Sequence, residues 1–166
     1  MTAAIFALVG TLLGVLGTLT VELVRGRVED MRSHREALRL ACADFTAAVA
    51  RVINLTIELK KIADPRRLEL MREAHMDARA YYERLRLIAV SRDAQKAGRY
   101  VLRYTYGLLL QAEGKPPRDD ERERGPRLLL QDSLMRLYVE VRRETGVSRA
   151  EDIYREPDEW IGLSYP

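Results

Sequence analysis

The sequence predicts an all-α protein in which an N-terminal transmembrane helix continues into a cytoplasmic antiparallel helical bundle of about four helices. Three observations predict it. Residues Ala3 to Val21 carry no charge, and Glu22, Arg25 and Arg27 follow at once. From Val28 onward apolar residues recur at three- and four-residue steps, the period of a helix that buries one face. The periodic stretches are separated by helix stop and start signals at Asp64-Pro65, Ser91 and Pro126.

The first element is the anchor, residues 1–24. An uncharged run of 19 residues spans roughly 28 Å as a helix, close to the ~30 Å hydrocarbon core of a bilayer. A cleaved signal peptide has a basic n-region, an apolar core of roughly 7 to 15 residues and a small-x-small cleavage site. Here no Lys or Arg precedes Arg25, the apolar run is longer, and Gly17-Thr18-Leu19-Thr20-Val21 matches a cleavage site only weakly. The run is therefore read as a retained anchor. Arg25 and Arg27 flank the membrane, with Arg32, Arg35 and Arg39 behind them, and the positive-inside rule puts the body in the cytoplasm and the N-terminus outside. Within the anchor Gly10, Gly14 and Thr18 recur every four residues and share one helix face. Small residues at that spacing allow the close backbone approach on which membrane helices associate.

Residues 25–166 form the cytoplasmic helical bundle. Its first helix carries a stripe of Val28, Met31, Leu38, Cys42, Phe45, Val49, Val52, Thr56 and Leu59, widened by Ala41, Ala48, Leu55 and Ile62. Asp64 caps the next helix and Pro65 suits its first turn. The apolar or aromatic positions of that helix are Leu68, Met71, Ala74, Ala78, Tyr81, Tyr82, Leu85 and Ile88, again at helical spacing. Ser91 starts a third, with Ala94, Ala97, Val101, Leu102, Thr105, Leu108, Leu109 and Ala112 on its apolar face. The short connections imply antiparallel neighbours. Gly114 to Gly125 contains no apolar residue except prolines and reads as a flexible solvated loop. Pro126 opens a fourth helix with Leu130, Leu134, Leu137 and Val141, and Gly146 ends it. Ser148 and Glu151 make a capping box for a short helical turn. The C-terminal tail carries Trp160, Ile161 and Leu163, an apolar cluster that predicts docking on the bundle.

Charge and side-chain chemistry narrow the function. The 28 basic and 25 acidic residues give a net charge of +3, and their interspersion along the chain argues against a nucleic-acid partner. Cys42 is the only cysteine, so no intramolecular disulfide and no cysteine-based zinc site is expected. His34 and His75 stand outside any metal-ligand spacing, and His75 falls where a half-buried core neighbour would sit. Glu69, Glu73 and Asp77 share a helix face with Arg66, Arg72 and Arg84 in reach, which surface ion pairs explain. Tyr100, Tyr104 and Tyr106 fit an inter-helix seam. No nucleophile triad, phosphate loop or metal motif is present, so the sequence predicts neither an enzyme nor a cofactor.

The layout resembles one kind of known protein. Gly10 to Thr18 (GTLLGVLGT), the charged arm Arg25 to Arg39 and the segment Ala41-Cys42-Ala43-Asp44-Phe45-Thr46-Ala47-Ala48 resemble the small single-pass membrane proteins of high-GC Gram-positive bacteria, a group of uncharacterised function. The resemblance implies residence in the bacterial inner (plasma) membrane and a helical cytoplasmic domain, and it carries over no catalytic residue. Together these features predict a membrane-anchored interaction or scaffold protein whose partners are the lipid bilayer and either further copies of itself or a membrane or cytoplasmic protein. The alternative is a membrane effector or sensor that self-associates through its transmembrane helix.

Overall fold

The computed structural model describes residues 2–61 and 64–147, and every regular element among them is helical. α1 is Thr2–Lys61, α2 Pro65–Ile88, α3 Arg92–Ala112 and α4 Gly125–Glu144, with a 3-10 turn at Asp119–Glu121 between the last two. The chain divides into two compact units, Met1–Glu36 and Ala37–Pro166. α1 is long and apolar, and one stretch of it, within Val24–Leu59, has the length and the mean hydropathy of 1.5 needed to cross a membrane. A third of that stretch is buried within the protein, and Leu38, Phe45, Val49 and Val52 from it belong to the helical core. The side chains of the uncharged run Ala3 to Val21 lie outside the described residues.

Local chemistry sets the helix ends. The Asp64 carboxylate accepts a hydrogen bond from the Arg66 amide at 2.9 Å, and Pro65 occupies the first turn, where its missing N–H costs nothing. Ser91 Oγ accepts from the Ala94 amide at 3.2 Å to start α3. Both α3 and α4 finish in a Schellman turn. Gly114 and Gly146 adopt φ of +74°, and the amides of Lys115 and Val147 reach back to the carbonyls of Leu110 and Arg142 at 2.9 Å.

In the second unit all four helices contribute to one hydrophobic core. Asp44 meets Arg84, Arg51 meets Asp77, and Thr56 Oγ1 lies 3.8 Å from the Met71 sulfur. The residue numbers run in opposite directions, so α1 and α2 are antiparallel here. Tyr82 meets Gln95, His75 meets Tyr106 and Arg72 meets Glu113, which makes α2 and α3 antiparallel as well. α4 lies against α3 in the same sense, with Pro126 beside Gly107 at one end. At the other end the Glu144 carboxylate accepts from the amides of Val90 and Ser91 at 2.8 and 3.0 Å.

Two expectations change. Val28 and Met31, the first members of the expected apolar stripe, are more than half exposed; among the described residues burial along α1 begins at Leu38, within the second unit, where α2 packs against it. The segment 114–125 is not solvated throughout. Glu121 is buried, at 2% exposure, and its Oε2 accepts from the Arg118 amide at 3.1 Å. The absence of a side chain at Gly107 makes room for it: a Cβ there would lie 2.5 Å from Glu121 Oε1 and 2.9 Å from Pro126 Cβ. The 3-10 turn is thereby seated on α3.

Candidate functional site

An open groove of about 910 Å³ lies between α2 and α3. Its walls carry Arg79 and Arg86 from α2, Arg92, Lys96, Arg99 and Arg103 from α3, and Arg118 from the connection to α4. One carboxylate, Glu83, lines it with them. Seven cations against one acid exceed the net charge of the entire chain, +3, so the rest of the protein is net acidic.

Helical periodicity produces this grouping. Arg92, Lys96, Arg99 and Arg103 follow steps of four, three and four residues and so form one stripe along α3. Arg79 and Arg86 are two turns apart on α2. Antiparallel packing of α2 against α3 brings the two stripes face to face.

Three of the seven are paired. Arg86 meets Glu83 at 3.2 Å, Arg103 forks onto both oxygens of Asp120 at 3.0 and 3.1 Å, and Arg118 lies 3.8 Å from Glu121. The Arg103 guanidinium holds the Asp120 carboxyl below its usual range. Arg79, Arg92, Lys96 and Arg99 have no carboxylate within ion-pairing distance among the described residues. All four are exposed, so their charges are hydrated and available.

At one end of the groove His75, Tyr106 and Arg118 pack together. The imidazole and phenol rings are 5.3 Å apart, and the Arg118 guanidinium carbon lies 5.3 Å from the centre of the Tyr106 ring. His75 Nδ1 is buried and has no hydrogen-bond partner among the described residues. Burial, then the nearby Arg79 charge, lowers the His75 pKa, which keeps the imidazole neutral at pH 7. Tyr82 seats its ring on Gly98, where a Cβ would come within 3.1 Å of it, and its hydroxyl donates to the Gln95 carbonyl at 3.4 Å. The arrangement concentrates positive charge and offers a neutral polar group beside it. Among the described residues no group of His, Cys, Asp and Glu has the makings of a metal site.

None of the described residues singled out from the sequence as sites lies in this groove. Gly10, Gly14 and Thr18 have helical backbone in α1, and their side-chain surroundings are outside the described residues. Arg25 and Arg27 are exposed on α1. Trp160, Ile161 and Leu163 lie outside the described residues. The groove itself was available in the sequence as the four-three-four spacing of cations from Arg92 to Arg103, a signal hidden when charges are counted along the chain rather than by helix face. No family model matches this chain, and neither a curated protein nor a solved structure is significantly similar to it.

Proposed function

We propose that the protein is a membrane-anchored interaction module that presents a cationic groove to an anionic partner at the cytoplasmic face of the bacterial plasma membrane. The uncharged run Ala3 to Val21 is the anchor in this reading, with the N-terminus outside and the helical bundle inside, as the cluster from Arg25 to Arg39 requires. The observation that carries the interaction is the groove's set of four exposed cations without acidic partners among the described residues. A surface evolved only for solubility interleaves its charges; here like charges are held side by side, at a cost in stability that ligand binding repays.

Two measurements test it. A C-terminal fluorescent-protein fusion should be bright and a C-terminal alkaline phosphatase fusion inactive. The stoichiometric partner recovered from native membranes should be lost from the doubly reversed Arg79→Glu, Arg99→Glu protein, while the Arg51→Glu protein retains it. An active phosphatase fusion refutes the topology, and a partner indifferent to the groove refutes the surface. Self-association through Gly10, Gly14 and Thr18, the basis of the effector or sensor reading, predicts that Gly14→Ile weakens association of the anchor whereas Leu13→Ile does not.

A further inference from the structure

We infer that the ligand of the α2–α3 groove is a compact organic polyphosphate, carrying two or more phosphoryl groups, either free in solution or on a lipid headgroup. This rests on the groove being the recognition surface of the anchored domain, and it goes beyond that reading by naming the chemistry recognised.

Valence is the first argument. A single carboxylate neutralises one of the four unpaired cations. A phosphoryl group carries between about one and a half and two negative charges at neutral pH, so two or three of them match Arg79, Arg92, Lys96 and Arg99 together. Side-chain type is the second. Three of those four are arginines, whose planar guanidinium forks pair with phosphate oxygens two at a time, in a geometry that lysine lacks.

Size and surroundings separate a compact ligand from a polymer. From Arg92 to Arg99 along α3 is roughly 10 Å at ~1.5 Å per residue, the length of a short phosphate chain. The groove's volume of about 910 Å³ falls within the range of small-molecule sites, about 300 to 1,000 Å³. Outside the groove the described residues carry as many acidic as basic side chains, so a polynucleotide leaving it would meet no further excess of positive charge.

The test uses the full chain in phosphatidylcholine nanodiscs, titrated calorimetrically with inorganic tripolyphosphate. Saturable one-to-one binding is expected. The Arg79→Gln, Arg99→Gln protein should bind at least about tenfold more weakly, the loss expected for two charge-assisted hydrogen bonds, while Arg51→Gln, Arg84→Gln leaves affinity unchanged. Both pairs remove two exposed charges, so the contrast separates a site from diffuse attraction. Nanodiscs containing cardiolipin identify the source. If they suppress tripolyphosphate binding the natural ligand is a lipid headgroup, and if they do not it is soluble; either result upholds the site. Equal losses in the two variant pairs, or no binding by the native chain, overturn it. So does a single-stranded oligonucleotide that displaces tripolyphosphate at lower concentration, because that marks a polymer site. If tripolyphosphate fails to bind while the groove variant still loses its protein partner, the anchored interaction module stands and the polyphosphate assignment falls.

Discussion

The two flanks of α2 carry similar numbers of charges and use them differently. Toward α1, Asp77 meets Arg51 at 3.4 Å, Arg84 meets Asp44 at 3.3 Å, and Arg67 lies 3.8 Å from Glu58. Beneath these pairs Phe45 packs on Tyr82 with ring centroids 5.9 Å apart. Toward α3 the helix presents Arg79 and Arg86 to a second basic stripe, and Arg79 faces it without a counter-ion among the described residues. One flank is electrostatically closed and the other is left open. Exposed pairs like those on the closed side contribute little each, about 0 to 1 kcal/mol, so their consequence is mainly neutrality: they leave that flank nothing to attract an anion with. The open flank, with the same residue types, retains its field.

The largest effect expected on the closed flank comes from its core. Phe45 is fully buried, and Phe45→Ala should cost ~3 to 5 kcal/mol of stability by removing the ring and leaving a cavity against Tyr82. Thermal or denaturant unfolding of the full chain in detergent measures it. A loss below ~1 kcal/mol would mean that α1 and α2 are held together by their ion pairs rather than by burial.

Next comes the support of the open flank. Gly107 lets Glu121 and Pro126 close onto α3, which places Arg118 at the groove beside Tyr106. Gly107→Ala gains helix propensity, worth about 1 kcal/mol, yet must displace a buried carboxylate and a proline ring. Overpacking of that kind costs ~1 to 3 kcal/mol, so net destabilisation is expected. Groove binding should weaken with it as Arg118 moves. Unchanged or raised stability would show that the 3-10 turn gives way freely.

Charge removal should then act with opposite sign on the two flanks. Asp44→Asn leaves Arg84 without its partner and should lower stability by at most about 1 kcal/mol. Arg79→Gln, Arg99→Gln relieves like-charge crowding and should leave stability unchanged or raise it by about 0.5 kcal/mol, with the gain shrinking as salt is added. Equal losses on both sides would indicate hidden acidic partners for the groove cations.

The two flanks also differ in how far the sequence discloses them. Helix limits were legible because they are written locally: Asp64, Ser91 and Gly146 act on amides and carbonyls a few residues away. Buried positions such as Phe45, Met71, Leu85 and Leu137 followed from period alone. Burial of Glu121 did not, since a carboxylate in a polar segment reads as solvated until Gly107 is known to face it. Ion-pair partners were likewise misassigned in part. Arg72 does take Glu69, at 2.9 Å, but Asp77 finds Arg51 and Arg84 finds Asp44 on a different helix. Those choices, like the groove, depend on which faces meet, and periodicity within one helix does not contain that information.

The smallest effect concerns His75, which stands at the edge of the open flank. Its pKa is lowered from 6.5 in the folded state, by burial first and by Arg79 second, so the unfolded chain binds a proton more readily there than the folded one. The unfolded state therefore takes up more protons as pH falls through 6.5 toward the lower folded value, and stability falls with it. Well above 6.5 the imidazole is neutral in both states and contributes no slope. The expected result is a decline in melting temperature on acidification from pH 7 to 5 that is shallower in His75→Gln, a neutral replacement with no proton to gain. Arg79→Gln should lessen the slope by a smaller amount, because it removes the second cause and leaves burial in place. Parallel curves for the native chain and His75→Gln would show that the imidazole is solvated in the folded protein, and with that its role as an unpartnered group at the groove would be lost.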